Sequence, residues 1–175
     1  MIKLIVLVVA LVILAILILA SFKPDSFRVE RSATILAPPE KVFAYINDLH
    51  SWAAWSPWEK LDPNLKRTYS ANTIGTGASY EWQGNRKVGR GRMTIGESVA
   101  PSSIVIKLDF FVPMRAHNTA EFTLAAYGNG TFVTWAMYGP SSYLARLFHV
   151  FLNMDKMVGR DFEDGLVNLK ALAEK

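Results

Sequence analysis

The sequence predicts an α+β domain in which one curved antiparallel sheet wraps around a long C-terminal helix, preceded by an N-terminal apolar helix. Three observations support this expectation. Residues Leu4 to Ala20 read LIVLVVALVILAILILA, with no polar side chain. From Lys66 to Tyr138 apolar residues alternate with polar ones, and glycines and prolines punctuate the pattern, as in strands joined by tight turns. From Tyr143 to Lys175 the apolar residues return to helical spacing.

The first element lies between Lys3 and Lys23, nineteen residues that would span about 29 Å at ~1.5 Å per residue. That is close to the ~30 Å hydrocarbon thickness of a bilayer, and the flanking lysines can reach the head groups. A soluble core helix would carry a polar face, and this one has none. The expectation is an uncleaved single-pass anchor over residues 1–23, with one domain of ordinary size over residues 24–175. The competing reading is a secretory signal peptide. Such segments have apolar cores of ~7–15 residues and a small-x-small cleavage site. Here the run is longer, and Ile18 occupies a position that should be small if the cut follows Ala20. Lys3 and the amino terminus balance Lys23, Arg28 and Arg31, so the side of the membrane stays open.

The remaining elements follow in order. Phe27 to Ile35 alternates as a first strand, with Phe27, Val29, Arg31, Ala33 and Ile35 on one face. Ala37-Pro38-Pro39-Glu40 opens a helix, because proline suits the first turn and an acid complements its positive end. Val42, Phe43 and Ile46 make its apolar stripe, and a second short helix or turn carries Leu49 to Trp55. Six strands are expected near Lys66–Tyr69, Ala78–Gln83, Gly89–Val99, Ser103–Phe110, Arg115–Tyr127 and Thr131–Tyr138, joined as an antiparallel meander. One long helix then places Met154, Met157, Val158, Phe162, Leu166, Leu169 and Leu172 on a single stripe that needs an apolar surface to cover.

Composition excludes several functions. The net charge is +4, but basic residues are mixed with acids and form no run of the kind that binds nucleic acid. The chain has no cysteine, hence no disulfide, thiol nucleophile or cysteine metal site. His50, His117 and His149 stand far apart, outside any metal-binding spacing, and no serine lies in a GxSxG elbow. Gly89-Arg90-Gly91 lacks the third glycine of a dinucleotide fingerprint and reads as a bend in the sheet. No cofactor or metal is expected.

Four stretches carry a resemblance: Arg31-Ser32-Ala33-Thr34-Ile35 leading into Ala37-Pro38-Pro39-Glu40-Lys41-Val42-Phe43; Trp52-Ala53-Ala54-Trp55-Ser56-Pro57-Trp58; Gly89-Arg90-Gly91-Arg92-Met93-Thr94-Ile95; and Asn153 to Gly159 with Asp161-Phe162-Glu163. With the element order, these resemble the START-like superfamily, also called SRPBCC. In particular they resemble its membrane-anchored, polyketide cyclase/dehydrase-like bacterial branch. The resemblance implies a helix-grip fold, a place in the bacterial inner membrane, and an apolar ligand held between the sheet and the long helix.

The residues themselves outline that cavity. Strand alternation puts Tyr80, Trp82, Met93, Ile95, Glu97, Leu108, Phe110, Asn118, Phe122, Trp135 and Met137 on one face, with Met154 and Met157 opposite. The set is aromatic and rich in methionine, which adapts to irregular guests, but a stripe of this kind also describes an ordinary filled core. Glu97 and Asn118 are its polar members, and burial would oblige each to find a partner. A one-residue bulge would instead turn Glu97 outward. Trp55 and Trp58 are candidates for a hydrophobic lip at the cavity mouth or a foot on the bilayer, and the cluster with Trp52 could equally cap the core.

Two functions follow from this reading. One is a membrane-tethered protein that binds a hydrophobic small molecule or lipid. The other is a cyclase, dehydrase or isomerase in which Glu97 serves as the acid–base carboxylate, with Asn118 and Tyr80 as further polar groups. An interaction module with a filled core is a third.

Overall fold

The computed structural model describes residues 1–175, except for the side chain of His149. The leading helix α1 spans Ile2–Ser21, and Ala20 is its buried residue; otherwise its apolar side chains are largely exposed. It is long and apolar enough to cross a membrane. Strand β1 (Ser26–Ile35) follows, then α2 (Pro39–Asn47) and α3 (Trp52–Trp55). A 3₁₀ turn, Pro57–Lys60, leads to β2 (Lys66–Tyr69), β3 (Ser79–Gln83), β4 (Arg90–Val99), β5 (Ser103–Val112), β6 (Ala116–Tyr127) and β7 (Gly130–Pro140). Each strand lies within a few residues of its expected place.

The seven strands form one antiparallel sheet in the order β1-β7-β6-β5-β4-β3-β2. β2 to β7 run as a meander, and β1 pairs along the whole of β7, so the first and last strands are neighbours. The β6–β7 hairpin turns on Gly128 and Asn129, where Gly128 takes φ 57°, a conformation that glycine adopts without steric cost. Val42, Phe43 and Ile46 of α2 are buried, as their spacing predicts.

The C-terminal segment differs from expectation. The single helix expected from Tyr143 onward is two: α4 (Tyr143–Phe151) and α5 (Met154–Ala173), parted at the extended Leu152. Asn153 causes the break, because its side-chain oxygen accepts the Lys156 N–H at 3.1 Å and caps a new helix.

The buried face of α5 is Gly159, Phe162, Gly165, Leu166, Leu169 and Ala173. Met157 lies five residues before Phe162, about 140° away around the helix. It is therefore 53% exposed and does not face the sheet, contrary to the stripe read from sequence. α5 packs chiefly along β1 and also touches α2, α3 and the 3₁₀ turn. At Gly165 it approaches so closely that a Cβ there would stand 2.7 Å from the Trp135 ring.

Candidate functional site

Register aligns the concave face in rows running across the sheet. From one end to the other these are Ala116, Phe110, Gly91 and Trp82; then Phe27, Gly139, Asn118, Leu108, Met93 and Tyr80; then Val29, Met137, Ala120, Ile106 and Ile95; then Arg31, Trp135, Phe122, Ile104 and Ser98. The sheet therefore gathers Tyr80, Trp82, Met93, Ile95, Leu108, Phe110, Asn118, Phe122, Trp135 and Met137 on one face.

The two ends of that face differ. At the Trp135 row the space under α5 is solid. Trp135 stacks on Phe162 at 4.1 Å and on Phe122 at 4.8 Å, while Trp55 meets it edge-on at 5.5 Å. This corrects the expected hollow along this part of α5, which an aromatic stack occupies. Trp55 is fully buried within that stack, so it forms no lip. Its indole donates to the Tyr45 carbonyl, as the Trp52 indole does to Ile46. Trp58 is half-buried and stands edge-on to Trp135 and Phe162.

Toward the Phe110 row the cover thins. Ile104 and Ile106 of β5 are sealed, whereas Leu108 and Phe110 on the same face retain exposure. On β6, Phe122 and Ala120 are buried and Asn118 is not. The open end is also where β1 begins, a few residues beyond the end of α1. Gly91 lets the Trp82 ring lie across β4, since a side chain there would run into that ring.

The polar groups rearrange. Register shifts between Ile95 and Glu97, so Gly96 is an extra residue and Glu97 turns outward. Glu97 is exposed, and Ser98 takes the inward place, donating to Asn47 at 2.7 Å. Of the two predicted polar groups only Asn118 remains on the concave face, half-buried, and its carboxamide makes no side-chain hydrogen bond among the described residues. Gly139 on β7 leaves room for it. The buried indole nitrogen of Trp135 likewise has no partner among the described residues.

A buried polar cluster that sequence reading missed lies beside Tyr80. Glu59, in the 3₁₀ turn, accepts a hydrogen bond from the Tyr80 hydroxyl at 2.6 Å and pairs with Arg67 at 2.6 Å, its side chain only 7% exposed. Burial first, and then Glu59, push the Tyr80 phenol well above its usual range. Burial works against the Arg67 charge, but the Glu59 hydrogen bond and the charges of Glu59, Tyr80 and Tyr69 together outweigh it and the guanidinium stays charged. Tyr80 is thus a fixed donor to Glu59.

Met154 lies at the β1 edge of the concave face, away from Leu108 and Phe110. With Asn153 and Asp155 it lines a groove of about 620 Å³ whose other wall is the linker and the start of β1, including Lys23, Phe27 and Val29. Asp161, also on α5, is half-buried beside Trp58.

The family model described as "Polyketide cyclase / dehydrase and lipid transport" matches residues 26–174. No curated relative matches the chain. Among solved structures, a protein from Chromobacterium violaceum is 18% identical over 87% of this chain and 99% of its own, with TM-score 0.60. The Aha1 dimer of Colwellia psychrerythraea is 14% identical over 85% and 96%, with TM-score 0.61. The di-domain ARO/CYC BexL of the BE-7585A biosynthetic pathway is 14% identical over 90% of this chain, with TM-score 0.63, and the match spans 53% of BexL. At these identities the likeness is one of fold.

Proposed function

The chain belongs to the polyketide cyclase/dehydrase and lipid transport family, and from that premise we propose that it is a membrane-anchored binding protein that takes a hydrophobic small molecule or lipid into the open end of its concave sheet. The observation that carries this reading is the change of burial along one face of β5, from sealed Ile104 and Ile106 to accessible Leu108 and Phe110. Trp82 and Met93, both buried, back that end with apolar side chains, of which methionine is the more adaptable. The Asn118 carboxamide, without a side-chain hydrogen bond among the described residues, gives a guest one polar contact. Anchoring by α1 would raise the local concentration of a membrane-derived ligand. The open end lies on the side of the sheet where the anchor joins.

The enzymatic alternative relied on Glu97 as a cavity carboxylate. Glu97 stands outside, and the buried carboxylate beside Tyr80, that of Glu59, is engaged by Tyr80 and Arg67. The arrangement therefore favours binding.

Native mass spectrometry of the full chain, extracted from its own membrane in mild detergent, tests the proposal. The expected result is an intact N-terminus together with a bound apolar molecule. Ligand-free protein that takes up no added lipid would overturn the binding reading, and a chain cut after Ala20 would overturn the anchor.

A further inference from the structure

We propose that α4 is a second membrane element, a helix lying in the lipid head-group layer beside α1, with Leu144, Phe148, Phe151 and Leu152 turned to the bilayer. This rests on α1 being the uncleaved anchor proposed above. The two helices are in contact: α4 packs on α1, and the Tyr143 hydroxyl donates to the Leu17 carbonyl at 3.0 Å. Leu17 lies six residues before Lys23, about 9 Å along the axis at ~1.5 Å per residue. If Lys23 marks the membrane surface, a helix attached at Leu17 sits within the ~5–10 Å depth that interfacial helices occupy. Raising α4 into water would draw Leu17 to Ala20 out of the hydrocarbon.

The side chains of α4 agree with that depth. Leu144, Phe148 and Phe151 follow helical spacing on one face, and Leu152 continues it. Phe148 is 48% and Phe151 70% exposed. Such a patch on a free surface would be costly, and here it adjoins the lipid-facing surface of α1 through Leu19, Phe22 and Val150. Arg146 stacks over Tyr143 at 5.3 Å, and its Nε is buried without a partner among the described residues. A guanidinium beside a tyrosine at this level suits lipid phosphates. Placed so, α4 would hold the groove between Phe27 and Met154 at head-group height, on a path from the bilayer to the open concave end.

The absence of cysteine permits a direct test. Single-cysteine variants of the full chain, Phe148→Cys, Phe151→Cys, Leu11→Cys and Asn129→Cys, are labelled with an environment-sensitive fluorophore. They are then reconstituted in phosphatidylcholine–phosphatidylglycerol vesicles carrying nitroxide lipids. Asn129 is in the hairpin at the opposite end of the sheet. The expected result is blue-shifted emission at 148 and 151, quenched at least twofold by shallow nitroxides, with 129 unaffected. Unquenched labels at 148 and 151 beside a quenched label at 11 would overturn the proposal while leaving the anchor in place. An unquenched label at 11 would remove the anchor and this inference together.

Discussion

The guanidinium of Arg31, on the concave face of β1, occupies the space directly beneath Gly159 of α5, where any side chain would collide with it. Arg31 donates to Glu163 at 2.6 Å and to Asp155 at 2.9 Å, and the two carboxylates hold it firmly charged. The guanidinium can sit this close to the helix only because residue 159 has no side chain. Gly159→Ala is expected to lower stability by about 1–2 kcal/mol through overpacking. In an Arg31→Ala background the same change should raise it by up to about 1 kcal/mol, since alanine favours helix over glycine. Denaturant titration of the detergent-solubilised full chain reads both values, and an effect of the same sign in both backgrounds would refute the relationship.

Two acids of α5 should respond oppositely to pH. The Asp155 hydrogen bond from Arg31 lowers its pKa from the ordinary 3.8. Its folded pKa lies below its unfolded one, so its contribution is complete above the unfolded value and disappears as pH falls through the folded one. Asp155→Asn should therefore flatten the acid limb of the stability profile below about pH 4. Asp161 is raised, by burial against the opposing influence of the Trp58 indole. Its ionised form is disfavoured in the folded state, so stability gains as pH falls through the window between the two values. Asp161→Asn should raise Tm at pH 7 and lose that advantage by about pH 3. Thermal scans across pH check both, and an Asp161→Asn variant less stable at neutral pH would contradict the second.

Tyr80→Phe should cost about 2 kcal/mol, the scale of a hydrogen bond to a charged group. Glu59→Ala should cost more, about 3 kcal/mol, because it also leaves Arg67 without its carboxylate. Equal stability of Tyr80→Phe and the parent in urea titrations would mean the phenol is not the donor that fixes Glu59.

Leu108→Trp fills the open end and should weaken uptake of a fluorescent fatty-acyl probe at least tenfold, with Tm little changed. Met157→Trp, on the outer side of α5, should leave uptake unaltered. Comparable probe titrations of the two variants decide the location. Loss of binding with Met157→Trp alone would move the site away from the concave face.

Much of this architecture is legible in the sequence for local reasons. Alternation from Lys66 to Tyr138 reports a half-buried strand wherever one face meets a core, so strand spans could be read closely. Errors arose where a single residue interrupts a period. Gly96 inserts one position and turns Glu97 outward, and Asn153 caps a new helix within what looked like one. Met157 shared an apolar stripe by type but not by angle. Glu59 has no spacing signal, because its partners Arg67 and Tyr80 stand on β2 and β3 and meet it only when the 3₁₀ turn folds against those strands.

Composition and periodicity alone establish an apolar N-terminal helix, a seven-strand antiparallel sheet and an amphipathic C-terminus, because each depends on neighbours a few residues apart. Whether the face of that sheet is filled or open depends on contacts between residues as much as 132 positions apart. The aromatic stack of Trp55, Phe122, Trp135 and Phe162 closes one end. The line that α5 takes along β1 leaves the other end accessible. Side-chain volume can be summed from a sequence, but where that volume packs is decided only when the helix meets the strands.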